Sequence, residues 1–425
     1  MNTDTMLRPP KNFFWLPTVG LLLGLAAGVR GQEAVQMSIA GADAAAARHK
    51  AASTLGYYNL KLGPTAWNFG AGLGLDYNSN VYYTENNPQG DFIFAPQINT
   101  RMRWPVSEQN SINLALGGGY SVYMKNTQLN NPFITQGSEL SFDIYAGDFW
   151  INLHDRFSIW QYSYQDPTVA GGNYSQLQNA LGPIVTWDLN KVVLKLGLDQ
   201  VNYISLASSS GQPNGSSQVA SLSAGYKLRP QMLVGLEVGG DLMTYSGNAA
   251  TFNGNYSNSK QWNVGAFYDT PVTDYIHFTS HAGYTTYLPE SSGATTGTAN
   301  FNGVYAELAF THRLNEYVSY SLSGGRTVNL AFYGGSVDQY YARLTANWQV
   351  LRKVTLGTYL GYENGTYLSG APQPYDRYGL GVTLGRAITA KLSGTLGYQF
   401  YLRQSDIVGQ SYTLNLLHLG FNYAF

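Results

Sequence analysis

From about Tyr57 to Phe425 apolar residues recur at every second position, and this period of two constrains the chain more than any other feature. It is the pattern of strands with one apolar and one polar face. Phe92, Phe94, Pro96, Ile98, Thr100, Met102 and Trp104 alternate with Ala95, Gln97, Asn99, Arg101 and Arg103. Val192, Leu194, Leu196 and Leu198 stand against Lys195 and Asp199, and Val234, Leu236 and Val238 against Glu237 and Asp241. Segmentation on this rule gives eighteen strands, near 67–78, 91–104, 111–124, 138–146, 149–163, 175–188, 191–205, 217–228, 232–245, 259–270, 274–287, 302–313, 317–332, 337–350, 353–367, 377–387, 391–404 and 412–425. Even strands are followed by tight links such as Gly147-Asp148, Leu189-Asn190 and Leu351-Arg352. Most odd strands are followed by longer polar loops, including 79–90, 125–137, 246–258 and 289–301. A soluble sandwich has no reason to sort loop length by parity. An all-β, transmembrane, antiparallel up-and-down barrel does, because its short turns face the periplasm and its long loops face outward.

Composition agrees where it bears on this choice. Only 12% of residues are charged, roughly half the share of an ordinary soluble domain, while Gly reaches 48 and Tyr 34. With 24 basic and 25 acidic residues the formal charge is −1, so there is no overall basic field to hold nucleic acid. Zero Cys excludes disulfides, thiolate metal sites and a catalytic thiol. Arg8 and Lys11 precede an apolar stretch from Phe13 to Val29 that ends in small residues around Gly31, the order of a secretory signal peptide. The expected organisation is a signal peptide over 1–31, an Ala-rich periplasmic lead-in over 32–56 and a barrel over 57–425, in the outer membrane of a Gram-negative bacterium. A membrane anchor is the alternative for the leader, weakened by Pro17.

Aromatics cluster at both strand ends. Tyr77, Tyr82, Tyr83, Tyr123, Trp160, Tyr162, Tyr164, Tyr203, Tyr245, Tyr287, Tyr333, Tyr367 and Tyr401 lie toward the long loops. Trp104, Tyr145, Trp187, Tyr226, Tyr268, Tyr275, Phe310, Tyr317, Trp348 and Tyr423 lie near the short turns. Two such clusters predict two interfacial girdles. Leu417, Leu419, Phe421, Tyr423 and Phe425 alternate to a terminal aromatic, resembling the closing strand of bacterial outer-membrane proteins. That resemblance implies recognition by the barrel-assembly machinery. The stretch Asn68 to Val81 with its Leu75-Asp76-Tyr77-Asn78-Ser79-Asn80-Val81 end, the Phe94-Ala95-Pro96 triplet and Asn179-Ala180-Leu181-Gly182 resemble the putative β-barrel porin family found near exopolysaccharide gene clusters. The resemblance covers most of 57–425 and implies an outer-membrane pore linked to polysaccharide export. Family members often carry acidic residues before the Asn-Val pair; here Asn78 and Ser79 stand there, against a cation-binding role for that loop.

Eighteen strands enclose more space than side chains fill, so an aqueous channel is expected unless a loop folds inward. Parity assigns Arg101, Arg103, Lys125, Arg156, Lys195, Lys227, Arg343, Arg377 and Arg403 to the lumen. The lumenal acids on the same rule are Glu139, Asp143, Asp199, Glu237, Asp241, Asp269, Glu307 and Glu363. Most of the bases fall on the arc joining the first three and last five strands, and most of the acids on the other, which predicts a field across the pore. Tyr123, Tyr341, Tyr359 and Tyr401 are candidates for stacking on sugars. Asp155 and Arg326 share parity with lipid-facing residues, which predicts a β-bulge or a homo-oligomer contact at each. Outer-membrane lipid is the remaining expected partner.

Chemistry is sparse. His277 and His281 share a strand face but sit about 13 Å apart in an extended chain, too far to bridge one metal ion. No cofactor and no catalysis are expected. Two rival readings remain: a barrel hydrolase acting on lipid or lipopolysaccharide through His154 of the His154-Asp155-Arg156 run, and a structural or adhesion barrel plugged by its loops.

Overall fold

The computed structural model describes residues 58–159, 168, 170, 172, 175–206, 214–246, 258–290, 300–330, 336–368 and 373–425. The leader and the lead-in over 1–56 lie outside these residues, as do Trp160, Tyr162, Tyr164 and Tyr333. A three-residue lead strand, Leu60–Leu62, precedes eighteen barrel strands. In chain order these are β1 (Thr65–Asn78), β2 (Asp91–Pro105), β3 (Ser111–Tyr123), β4 (Asn131–Ala146), β5 (Phe149–Ile159), β6 (Gln176–Asp188), β7 (Val192–Ser205), β8 (Asn214–Arg229) and β9 (Met232–Ser246). They continue as β10 (Ser259–Thr273), β11 (Ile276–Pro289), β12 (Phe301–Arg313), β13 (Val318–Leu330), β14 (Ser336–Leu351), β15 (Val354–Tyr367), β16 (Gln373–Ala387), β17 (Leu392–Ser405) and β18 (Tyr412–Ala424).

Each strand pairs antiparallel with the next, and β18 pairs with β1 from Leu416 opposite Asn78 to Ala424 opposite Gly70. The sheet therefore closes with no free edge, which removes the unpaired backbone groups that hydrocarbon would penalise. The terminal Phe425 N–H donates to the Phe69 carbonyl at 3.2 Å. Alternation sorts side chains as the sequence predicts. Ile98 and Leu236 point outward, 67% and 68% exposed, a placement that hydrocarbon favours and water does not. Inward positions hold polar residues and tyrosines, many fully buried.

Two sequence readings need correction. The strand expected from 138 begins at Asn131, so the loop before it shrinks to residues 124–130 around a 3₁₀ turn at Thr127–Leu129. The ladder shifts register between Ile134 and Ser138 against β5, and between Ala115 and Gly118 against β3, and a period count loses phase at such shifts. Gly137 takes φ 88° there, a left-handed conformation that a Cβ resists. The second correction concerns the outer girdle. Tyr83, Tyr123, Tyr287, Tyr367 and Tyr401 are buried on the inside. The rings facing out at that level are Tyr77, Phe92, Trp262, Tyr284, Tyr340, Tyr362 and Tyr378, with pairs such as Trp262–Tyr284 at 6.2 Å and Tyr362–Tyr378 at 5.2 Å. A ring near a strand end joins the girdle only where its parity turns it outward. On the periplasmic side Trp104, Trp187, Tyr226, Trp348 and Tyr423 do face outward.

Neither outward charge sits at a bulge. Register runs unbroken from Phe149 to Phe157 through Asp155, and from Ser319 to Leu330 through Arg326. Arg326 is instead neutralised on the outer face. Its Nε and Nη2 donate to Asp338 at 2.9 and 2.8 Å, and its guanidinium lies over Tyr340 and Phe301.

Candidate functional site

The lumen is lined by two unlike walls. On β4 to β12 acidic side chains are held mostly by neutral or imidazole donors. Asp143, fully buried, accepts from Asn113 Nδ2 at 2.9 Å, Trp150 Nε1 at 3.0 Å and Asn152 Nδ2 at 2.8 Å. Asp199 pairs with His154 Nε2 at 2.8 Å, and Asn152 Oδ1 lies 3.1 Å from the other imidazole nitrogen. Glu237 is reached by His281 at 3.0 Å and by the Tyr305 hydroxyl at 2.8 Å. Tyr305 must cross two strands to do so, and register explains how. Glu237, Gly265, Gly283 and Tyr305 lie in one row across β9 to β12, so the ring lies on two residues without side chains. A Cβ at Gly265 would stand 2.0 Å from the Tyr305 hydroxyl, and one at Gly283 would stand 2.6 Å from the ring.

On β14 to β18 the wall is arginine and tyrosine. Glu363 accepts from Arg343 Nη2 and from Arg377 Nη1, both at 2.7 Å, and all three sit in adjacent strands. Arg377 lies 4.6 Å from the Tyr401 centroid and Arg403 4.3 Å from that of Tyr375. Arg403 is fully buried, donating to the Gln410 carbonyl at 2.8 Å and to the Tyr367 hydroxyl at 3.2 Å. Burying two guanidiniums and half-burying a third requires this density of acceptors and ring faces, because an unpaired ion in a low dielectric is costly.

What closes over this wall comes from the far side. Thr168 and Ala170 belong to the connection between β5 and β6, eight strands from β15 by the shorter way around the ring. Yet the Tyr367 hydroxyl donates to the Thr168 carbonyl at 2.7 Å. Ala170 packs in a buried cluster with Tyr83, Tyr359, Tyr401, Tyr412, Leu414 and Leu416. Thr168 and Ala170 therefore lie against the inner face opposite the two strands that bracket them. No pattern in the sequence marks this placement.

The charges assigned by parity fall on the inner face of the strands, with one exception. Lys125 lies beyond the end of β3 at the outer rim, where its backbone N–H donates to the Asp91 carboxylate at 3.0 Å. The strand stops at Tyr123 because Asp91 captures the next amides, of Lys125 and Asn126, out of the ladder. Two lumenal acids were missed on the basic arc. Asp91 is one; Asp76, which meets His418 at 2.5 Å, is the other. Parity alone finds Asp76, between Leu75 and Tyr77. The acids thereby intrude on the arc read as basic, and the buried members of both sets are paired inside the wall. Arg101 stays exposed, Arg343 keeps 15% side-chain exposure, and the Glu139–Arg156 pair keeps 12% and 16%. Asp269 and His277, 3.0 Å apart, are about half exposed near the periplasmic mouth.

The sugar-stacking candidates fare worse. Tyr123, Tyr359 and Tyr401 are 2%, 6% and 5% exposed, leaving only Tyr341 half-buried. His154 has no exposed side-chain surface and is held between Asp199 and Asn152, so it offers a hydrolase no accessible base. Among the described residues no group of His, Asp and Glu is placed to hold a metal ion.

A family model described as "Putative beta-barrel porin 2" matches residues 70–425. No curated protein matches the chain. Among solved structures, a BenF-like porin from Pseudomonas fluorescens Pf-5 superposes with a TM-score of 0.50 at 11% identity, over 86% of this chain and 100% of that one. Pseudomonas aeruginosa OccK2 (OpdF) gives 0.49 at 11% identity, over 84% and 98%. At such identity the likeness concerns the fold.

Proposed function

This chain belongs to the putative beta-barrel porin 2 family and forms an outer-membrane porin barrel, and from that premise we propose that it passes small hydrophilic solutes passively, through a lumen narrowed where Thr168 and Ala170 lie against its inner wall. The seat of Thr168 and Ala170 against β15 to β18 carries this reading. With these two residues seated inside, the proposed passage runs along the acid-bearing wall and past the exposed Arg101. A solute moving there exchanges its hydration shell for amides, carboxylates and hydroxyls without a high-affinity site, the condition for throughput. Export of a polysaccharide, which the resemblance implies, would need Thr168 and Ala170 to leave their seat and the buried Tyr359 and Tyr401 to become accessible.

Swelling of proteoliposomes in isotonic sugars of increasing size tests this. Rates should fall steeply from a pentose to a tetrasaccharide. Equal rates across the series, or none for the pentose, would overturn the proposal.

A further inference from the structure

Among the described residues, Asp155 is an outward charge without a cation partner. It lies on β5 six residues above Phe149, whose ring stacks on Trp187 at 5.0 Å in the periplasmic girdle. Its register partners are Leu140 and Leu181, 44% and 55% exposed, so it stands in the apolar band. Among the described residues its side-chain donor is Asn179 Nδ2. The chain of amides continues outward: Asn202 Nδ2 donates to Asn179 Oδ1 at 3.3 Å, and Gln200 Nε2 to Asn202 Oδ1 at 3.3 Å. All four side chains are half-buried on the lipid side of three adjacent strands. Arg326, the other charge whose parity matches lipid-facing residues in the sequence reading, is matched by Asp338 in its own chain.

A carboxylate has about four acceptor sites, and one amide fills only part of them. Acyl chains offer no donors at this depth, and lipid headgroups lie beyond the rim. Beside the amides the wall sinks into a depression of about 680 Å³ lined chiefly by apolar side chains, where the small Ala220 and Gly240 lie among Leu181, Leu198, Leu242 and Trp262. Gln200 and Gln218 border it. A surface with polar donors inside an apolar band and a hollow next to them suits a protein neighbour better than lipid.

We propose that the outer wall of β5 to β9 is the contact face for a second copy of this chain. Copies inserted in the same direction are related by an axis parallel to the membrane normal, and such an axis preserves depth. The polar row of one copy therefore meets groups at the same height on the other. With the axis beside Asn179, Asp155 faces the amide side of the row, and neutral Asn and Gln side chains, which both donate and accept, complete one another across the contact. The depression receives apolar side chains from the neighbouring wall.

The absence of native cysteine makes the test direct. Asn179→Cys and, as a control on the opposite outer wall, Leu360→Cys are expressed singly and oxidised in intact outer membranes with a copper–phenanthroline catalyst. Folding of each variant is verified by the lower gel mobility shift that unheated barrels show. A folded Asn179→Cys should give mainly covalent dimer, several-fold above the control. A folded, monomeric Asn179→Cys would overturn the proposal, as would equal crosslinking at both positions, which reports random collision. Neither result bears on solute passage, so this proposal and the functional one fail separately.

Discussion

The two lumenal walls handle buried charge differently. On β14 to β18, Arg343, Glu363 and Arg377 form a cluster of formal ions with one carboxylate between two guanidiniums, roofed by Tyr401, which shares a buried cluster with Ala170. On β4 to β12, Asp143 and Glu237 are held by an indole, amides, an imidazole and a phenol. The first wall is stable only as a complete set. The second distributes each acid over several neutral donors, so single losses are smaller. Sequence parity placed both sets inside but treated their charges as equally available to water; most are committed to holding the wall.

Replacement of Glu363 should have the largest effect. Glu363→Ala leaves two buried guanidiniums facing each other, which costs roughly 3–5 kcal/mol, whereas Asp143→Asn on the other wall should cost about 1–2 kcal/mol. Urea unfolding in detergent, followed by tryptophan fluorescence, reads both, and equal losses would erase the contrast. Next comes Gly283→Ala, whose Cβ would meet the Val264 carbonyl oxygen at 2.2 Å and the Tyr305 ring at 2.6 Å, so that both the neighbouring strand and the ring must shift. Overpacking of this kind costs about 1–3 kcal/mol, and Tyr305→Phe in the same background should recover little if the ring itself is the obstacle.

Much of this was legible because a barrel repeats one rule eighteen times. Alternation fixes which face each residue takes, so Asp143, Asp199, Glu237, Arg343 and Arg377 could be placed inside from sequence. Register shifts were harder to see. The phase slip between Ile134 and Ser138 hid the first half of β4. Long-range events left no periodic trace at all: Tyr305 reaching Glu237 over two glycines, or Thr168 meeting Tyr367 199 residues away. Parity says which way a side chain points, not what covers it, and so the buried Tyr359 and Tyr401 read as sugar platforms.

Smaller effects separate the roof from the exposed lining. Tyr367→Phe removes the hydroxyl shared by Thr168 and Arg403, worth about 1 kcal/mol. Its stability change should be slight, but channel current should become noisier and its mean conductance higher as the connection loosens. Unchanged noise would mean that the apolar cluster around Ala170 alone seats the segment. Arg101→Glu should leave unfolding almost untouched and shift the reversal potential in a salt gradient toward cations. The same exchange at buried Arg403 should instead impair folding. If Arg403→Glu folds well and moves selectivity as much as Arg101→Glu, the division between structural and exposed charge is wrong.

The central claim is that the closed eighteen-strand wall surrounds water despite Thr168 and Ala170 lying against its inner face. Single-channel recording of the purified, folded protein in a planar bilayer tests this most directly. The account predicts discrete, nearly ohmic steps that rise in proportion to salt concentration. A folded barrel that inserts, as shown by protease protection of its strands, and passes no current would contradict it.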